Sequence, residues 1–134
     1  MILSLQKIQS AVEEIISNKA EFSFLLGSAA TQFFKEDSDV DVAVYWKNHD
    51  IPFPTKVQIS SDLSDRLGRE VDLISLNDID VVYGIQVIDK GRLLLNHNPG
   101  LMLQWKANII SQYPDFKASR LIIEENILKR KKYV

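Results

Sequence analysis

The chain of 134 residues is long enough for one hydrophobic core and short for two, which predicts a single domain over residues 1–134. Its formal charge of -2 provides no basic field, so no direct nucleic-acid partner is expected, and the absence of cysteine excludes disulfides, zinc–thiolate sites and thiol nucleophiles. The chain shows no leader pattern and no apolar run near the roughly 18 residues of a membrane span, which favours a cytoplasmic protein without a membrane partner.

Hydrophobic periodicity and turn residues predict alternating helices and strands. Apolar residues at steps of three and four indicate amphipathic helices, and short runs rich in valine, isoleucine and aromatics indicate buried strands. The predicted elements are a helix at about 4–18, a strand at 22–26, a short helix at 29–34, a strand at 40–46, a loop at 48–54, a helix at 55–67, a strand at 69–76, a helix at 79–89, an edge strand at 92–95, a turn at 96–100 and a helical segment at 101–132 interrupted at Pro114. This is the mixed α/β pattern of a small sheet flanked by helices, with a core of about residues 1–98 and a C-terminal helical segment of about 99–132.

Capping residues support several of these boundaries. Ser4 is a candidate N-cap for the first helix, and Gly68 stands where a C-cap glycine belongs. Asn77 or Asp78 is predicted to cap the helix that follows the third strand.

Asp39 and Asp41 stand two positions apart at the start of a predicted strand, so their side chains should project from the same face, about 6–7 Å apart. Asp72 lies in the next predicted strand, where pairing of the two strands would bring it to the same patch. Two such charges about 6 Å apart repel by roughly 3 kcal/mol at an effective dielectric near 20, so three of them need cations nearby. Mg²⁺, which binds carboxylates together with substrate phosphate oxygens, meets that need.

Gly27 and Ser28 form a predicted turn from strand to helix. Glycine allows close backbone approach, and serine can cap the helix while the exposed N–H groups face an anion. A Gly-Ser turn alone is more often only a turn with a cap, and an Asp-x-Asp pair alone is as often a solvated face. The two motifs together with Asp72, a costly acid inside an apolar strand, favour metal-assisted transfer from a nucleoside triphosphate.

The pattern G-S-x10-D-x-D, followed by V-D-L-I at residues 71–74, resembles the minimal nucleotidyltransferase group of the DNA polymerase β-like superfamily. The segments at 90–95 and 113–117 are similar to the tail of MNT-type antitoxins, which are encoded beside HEPN-domain toxins. The resemblance implies the nucleotidyltransferase fold and a HEPN toxin as the protein partner. It leaves open whether the chain forms a homo-oligomer or a hetero-oligomer with the toxin.

The resemblance also implies roles for five residues. Gly27 and Ser28 would hold the triphosphate of the donor ATP. Asp39 and Asp41 would bind two Mg²⁺ ions, and Asp72 would bind the catalytic metal and help to deprotonate the acceptor hydroxyl. The implied reaction transfers AMP to a tyrosine of the toxin and silences its ribonuclease activity.

One segment departs from the pattern of the relatives. They often carry arginines after Gly-Ser, whereas residues 29–32 of this chain read Ala-Ala-Thr-Gln, and Lys35 could substitute only in part. All three aspartates remain, which favours an active enzyme. Two other interpretations stay open, namely an antitoxin that neutralises its toxin by contact alone, and an enzyme for a small hydroxylated molecule, similar to aminoglycoside nucleotidyltransferases.

Overall fold

Helices and strands alternate along the chain in a computed structural model, which describes residues 3–27 and 39–112. Within these ranges the elements are α1 (Leu5–Ile16), β1 (Ala20–Leu26), β2 (Val40–Trp46), α2 (Phe53–Leu67), β3 (Val71–Ser75), α3 (Val81–Lys90), β4 (Arg92–Asn96) and α4 (Pro99–Ser111). The predicted α/β pattern is confirmed.

The four described strands form one mixed sheet in the order β3-β2-β1-β4. β1 pairs antiparallel with both β2 and β4, whereas β2 and β3 are parallel. A parallel pair requires a crossover, and α2 provides it. The end of β1 and the starts of the other three strands therefore meet at one edge of the sheet, which we name the carboxylate edge because Asp41 and Asp72 lie there.

Each face of the sheet is buried under two helices. The first cluster joins one face to α1 and α2 and includes Ile8, Val12, Leu25, Val40, Val42, Val44, Ile59 and Leu63. The second cluster joins the other face to α3 and α4 and includes Phe22, Phe24, Leu26, Ala43, Ile85, Val87, Trp105 and Ile109. Because side chains alternate along a strand, the odd positions of β2, Asp41 among them, lie on the face of the second cluster.

Two predicted caps are present. The Ser4 side chain accepts a hydrogen bond from the N–H of Lys7 at 3.1 Å and begins α1. Gly68 ends α2 in the left-handed conformation, with φ of 66°, and donates its N–H to the carbonyl of Ser64. Both caps were predictable because they depend on local chain geometry.

The predicted start of α3 was wrong. Neither Asn77 nor Asp78 caps this helix, since α3 begins at Val81 and Asp80 accepts from the N–H of Tyr83 at 2.8 Å. The Asn77 side chain instead accepts from the backbone N–H of Trp46 at 2.8 Å and donates to its carbonyl at 3.0 Å. Asn77 therefore ties the chain after β3 to the end of β2.

Other predictions differ in their bounds or lie beyond the described ranges. α2 begins at Phe53, inside the predicted loop, because Pro54 suits the first turn of a helix. α4 begins the predicted C-terminal helical segment, but the break at Pro114 and the short helix at 29–34 lie outside the described residues. Among the described helices, none is long and apolar enough to cross a membrane.

Candidate active site

Asp41 and Asp72 are neighbours across the parallel pair of strands. In the register of β2 and β3, Asp41 is the partner of Asp72, as Val40 is of Val71. Paired strands lie about 4.8 Å apart, and both aspartates alternate with residues of the first cluster, so they share the opposite face. Asp41 is half-buried and Asp72 is exposed. The sheet thus brings together two acids that are 31 positions apart in the sequence.

Asp39 stands immediately before β2 and is exposed. The start of this strand is held to β3 by a hydrogen bond of 2.9 Å from the N–H of Val40 to the carbonyl of Glu70. Asp39 therefore approaches the same edge, and its charge acts on Asp41.

Asp41 lies close to two other negative charges, those of Asp72 and Asp39. Burial raises the pKa of Asp41 above its ordinary 3.8, and the carboxylates of Asp72 and then Asp39 raise it further. A bound cation would relieve this repulsion, and the oxygen-only donor set is the type that Mg²⁺ prefers. Over residues 3–27 and 39–112, no three acidic or histidine side chains are already gathered as a metal-binding group. Asp39, Asp41 and Asp72 are near one another, but their carboxylates are not already arranged around a single metal position.

Gly27 connects the end of β1 to this group. Its φ is +73°, and a Cβ atom placed on it would lie 2.7 Å from Oδ2 of Asp41. Only glycine fits a position that combines this conformation with such a close carboxylate. The backbone of the predicted phosphate-binding turn therefore begins against Asp41, while Ser28 lies outside the described residues.

Sequence analysis did not single out Tyr83, whose pKa is affected by the charge of Asp41. It lies in the first turn of α3 and packs, partly buried, against the second cluster. Burial raises the pKa of its hydroxyl, and the charges of Asp41 and then Asp80 raise it further. The aromatic residue in the first helical turn was visible in the sequence, but the effect of the Asp41 charge on its pKa depends on how α3 crosses the sheet.

Two clefts lined by described residues lie away from the carboxylate edge. One, of about 520 Å³, is at the opposite end of the sheet, and its lining includes Lys19, Lys47 and His97. Another, of about 670 Å³, follows α1 and α2 and is lined in part by Ser4 and Arg66.

Residues 6–100 match the protein family described as Polymerase beta, Nucleotidyltransferase. The chain belongs to this nucleotidyltransferase family. The match contains every helix and strand from β1 to β4 and all three aspartates, so the carboxylate edge lies inside the family domain. The search of curated proteins found no match to this chain.

Solved structures confirm the nucleotidyltransferase fold. A toxin–antitoxin structure with AMP-PNP aligns with a TM-score of 0.72 at 21% identity, over 90% of this chain and 98% of that chain. The toxin–antitoxin MntA-HepT aligns with a TM-score of 0.67 at 21% identity, over 92% and 98%. A complex of a tri-AMPylated Shewanella oneidensis HEPN toxin with an MNT antitoxin aligns with a TM-score of 0.68 at 21% identity, over 92% and 98%. The nucleotidyltransferase thus shares its fold with chains of toxin–antitoxin complexes.

Proposed function

We propose that the protein is a Mg²⁺-dependent adenylyltransferase that transfers AMP from ATP to a tyrosine hydroxyl of a cognate HEPN ribonuclease toxin and so acts as its antitoxin. The observation that carries the proposal is the register of Asp41 with Asp72, with Gly27 in contact with Asp41 at the same edge of a nucleotidyltransferase domain. The likeness to a complex that contains a tri-AMPylated HEPN toxin supports the choice of acceptor.

Asp39, Asp41 and Asp72 are the residues that would hold Mg²⁺. All three offer carboxylate oxygens as ligands, and the pKa of Asp41 is raised by its burial and then by the charges of Asp72 and Asp39, which a bound cation would offset. When bound, the metal supplies positive charge that offsets the phosphates and the developing negative charge of the reaction.

The donor nucleotide would lie between the turn at Gly27 and the aspartates. Backbone N–H groups of Gly27 and Ser28 would bind its triphosphate, as N–H groups at a strand-to-helix turn bind anions elsewhere. Because residues 29–32 carry no arginine, this turn binds the triphosphate through N–H groups and the Ser28 hydroxyl rather than through guanidinium groups of its own.

Asp72 is assigned to the acceptor side. Its carboxylate is exposed, whereas Asp41 is half-buried, so a tyrosine on the surface of another protein can reach Asp72 from solvent. Asp72 accepts the proton of the acceptor hydroxyl while the acceptor oxygen bonds to the α-phosphorus. The bond from that phosphorus to the bridging oxygen breaks, and pyrophosphate leaves.

The test is AMP transfer to a cognate HEPN protein, which the proposal requires to be encoded beside this chain. Wild-type protein, ATP labelled on the α-phosphate and Mg²⁺ should label the toxin, and Asp39→Asn/Asp41→Asn should not. Asp65→Asn, an exposed change on α2, is the matched control and should label like wild type. No label with wild type, or equal label with the double variant, would disprove the proposal.

A growth assay separates catalysis from simple binding. Under the proposal, the double variant fails to rescue cells that express the toxin. Rescue by that variant at equal expression would instead show an antitoxin that acts by contact alone.

A further inference from the structure

A cleft of about 520 Å³ lies at the end of the sheet away from the carboxylate edge, about 20 Å from Asp41 along β2. Lys19 comes immediately before β1, Lys47 immediately after β2 and His97 immediately after β4. Because β1 lies between β2 and β4 in the sheet, the three residues stand side by side at neighbouring strand ends. All three are exposed and line the cleft, which we name the basic cleft.

Lys19 and Lys47 are direct neighbours across the pair of strands. Ala20 pairs with Trp46, and one position further out the N–H of Lys47 donates to the carbonyl of Lys19 at 2.9 Å. Side chains at such facing positions have Cβ atoms about 5 Å apart, and like charges there repel each other. Neither ammonium group forms an ion pair with any residue that the structure describes. An anion in the cleft would relieve this repulsion.

His97 adds a third polar group beside the lysines. Its backbone N–H donates to the carbonyl of Glu21 at 2.8 Å, which ties the residue to the start of β1. Nε2 of its ring lies 3.0 Å from Oγ of Ser17 at the end of α1. When Nε2 accepts from this hydroxyl, Nδ1 carries the ring proton and can donate it to a ligand. The basic cleft therefore offers an imidazole donor together with two ammonium groups.

An acidic residue, Glu14, also lines the basic cleft. Its carboxylate forms an ion pair with Arg66 of α2, so a cation already offsets its charge. Apart from Lys19, Lys47 and His97, the other described residues of the lining are uncharged. The charge that the lining presents to a ligand is therefore positive.

We propose that the basic cleft is a phosphate-binding site in which Lys19, Lys47 and His97 donate hydrogen bonds to the oxygens of one phosphate group. A phosphate ester carries roughly -1.5 to -2 charges at neutral pH and about three strong acceptor oxygens, so one group can meet all three donors. Hydrogen bonds between ammonium groups and phosphate are also stronger than those between neutral groups. A carboxylate carries a single charge and would balance one lysine of the two. The site is separate from the carboxylate edge, and it does not depend on the proposed function.

Titration of the ¹⁵N-labelled protein with sodium phosphate, followed by NMR, tests this inference. EDTA removes divalent metal ions, and NaCl keeps the ionic strength constant, so only specific binding changes the spectrum along a saturation curve. The backbone N–H signals of Lys19, Lys47 and His97 should shift in this way, and sodium acetate should bind more weakly. AMP in place of phosphate separates two sources of the group. Equal affinity would identify the free ion as a sufficient ligand, and tighter binding of AMP at the same residues would identify a nucleotide phosphate.

Lys19→Gln/Lys47→Gln removes both ammonium groups and keeps much of each side-chain stem. Lys56→Gln/Lys106→Gln is the matched control, because it changes the net charge equally on α2 and α4, outside the lining of the basic cleft. We expect the first double variant to bind phosphate about tenfold more weakly than wild type. The control should bind phosphate like wild type.

The absence of saturable shifts at the basic cleft in wild type would overturn the inference. Wild-type affinity in the Lys19→Gln/Lys47→Gln variant, or acetate bound as tightly as phosphate, would overturn it as well. An equal loss in the control variant would show an effect of net charge alone and would also count against the site. AMP transfer at the carboxylate edge is measured independently, so none of these outcomes bears on the proposed function.

Discussion

Gly27 and Asp41 are in contact at the end of the sheet, so closely that a Cβ atom on Gly27 would lie 2.7 Å from Oδ2 of Asp41. The contact joins the turn after β1 to the half-buried aspartate of β2, which itself pairs with Asp72 of β3. One backbone position therefore sets where the turn and the carboxylates stand relative to each other.

Gly27→Ala should lower both stability and AMP transfer. An alanine at φ +73° is strained, and its Cβ displaces the Asp41 carboxylate, so we expect a loss of about 1–3 kcal/mol in the free energy of unfolding and a loss of most activity. Gly68→Ala is the control, because Gly68 has φ +66° but open space around it. Urea denaturation should show a loss of stability in both variants. The transfer assay should show lost activity only in Gly27→Ala. Retained activity in Gly27→Ala would show that the contact is not needed.

Asp41→Asn should stabilise the metal-free protein at neutral pH. The pKa of Asp41 is raised in the folded state above its ordinary 3.8, so its contribution to stability is fully present below the unfolded pKa and is lost as pH rises through the folded pKa. At pH 7 in EDTA we expect the variant to melt higher by on the order of 2 °C, and this gain should shrink as pH falls toward 4. Asp65→Asn should show no such pH-dependent gain. If Asp41→Asn melts lower than wild type at pH 7, the charged Asp41 carboxylate does not destabilise the folded protein and the explanation is wrong.

Mg²⁺ should raise the melting temperature of the wild-type protein. A ligand at 100 times its dissociation constant stabilises the folded state by about 2.7 kcal/mol, which corresponds to a shift of several degrees. Differential scanning fluorimetry with MgCl₂, against NaCl of the same ionic strength, separates specific binding from screening. The triple variant Asp39→Asn/Asp41→Asn/Asp72→Asn should lose the difference between the two salts. An equal shift in the triple variant would place the metal elsewhere.

Trp105→Ala should destabilise the fold without involving the carboxylates directly. Trp105 is 7% exposed and packs against the rings of Phe22 and Phe24, at centroid distances of 5.7 and 6.2 Å. Its truncation should cost about 3–5 kcal/mol, measured by urea denaturation. Leu103→Ala on the same helix is the control, since Leu103 is 65% exposed and should change stability little. A small effect at Trp105 would mean that α4 contributes little to the second cluster.

Most elements of the fold could be predicted because their signals are local. Apolar spacing located α1 and α2, and the run from Val40 to Trp46 was read as a strand with its observed bounds. The error at α3 is instructive, since Asn77 and Asp80 are both good capping residues. Asn77 does not cap α3 because its side chain is hydrogen-bonded to the backbone of Trp46, and Asp80 caps the helix instead.

The sequence by itself predicted that Asp39 and Asp41 lie close together, because residues two apart on a strand share a face. In the structure β2 begins at Val40, so Asp39 precedes the strand and Asp41 alone of the two lies on its face. The tertiary structure decided three further relationships: the pairing of Asp72 with Asp41, the contact of Gly27 with Asp41, and the effect of the Asp41 charge on the pKa of Tyr83. Each joins different elements, and each depends on the register of the strands or the path of a helix across the sheet. Those features are set by the packing of the two clusters on the sheet, which no local pattern of residues encodes.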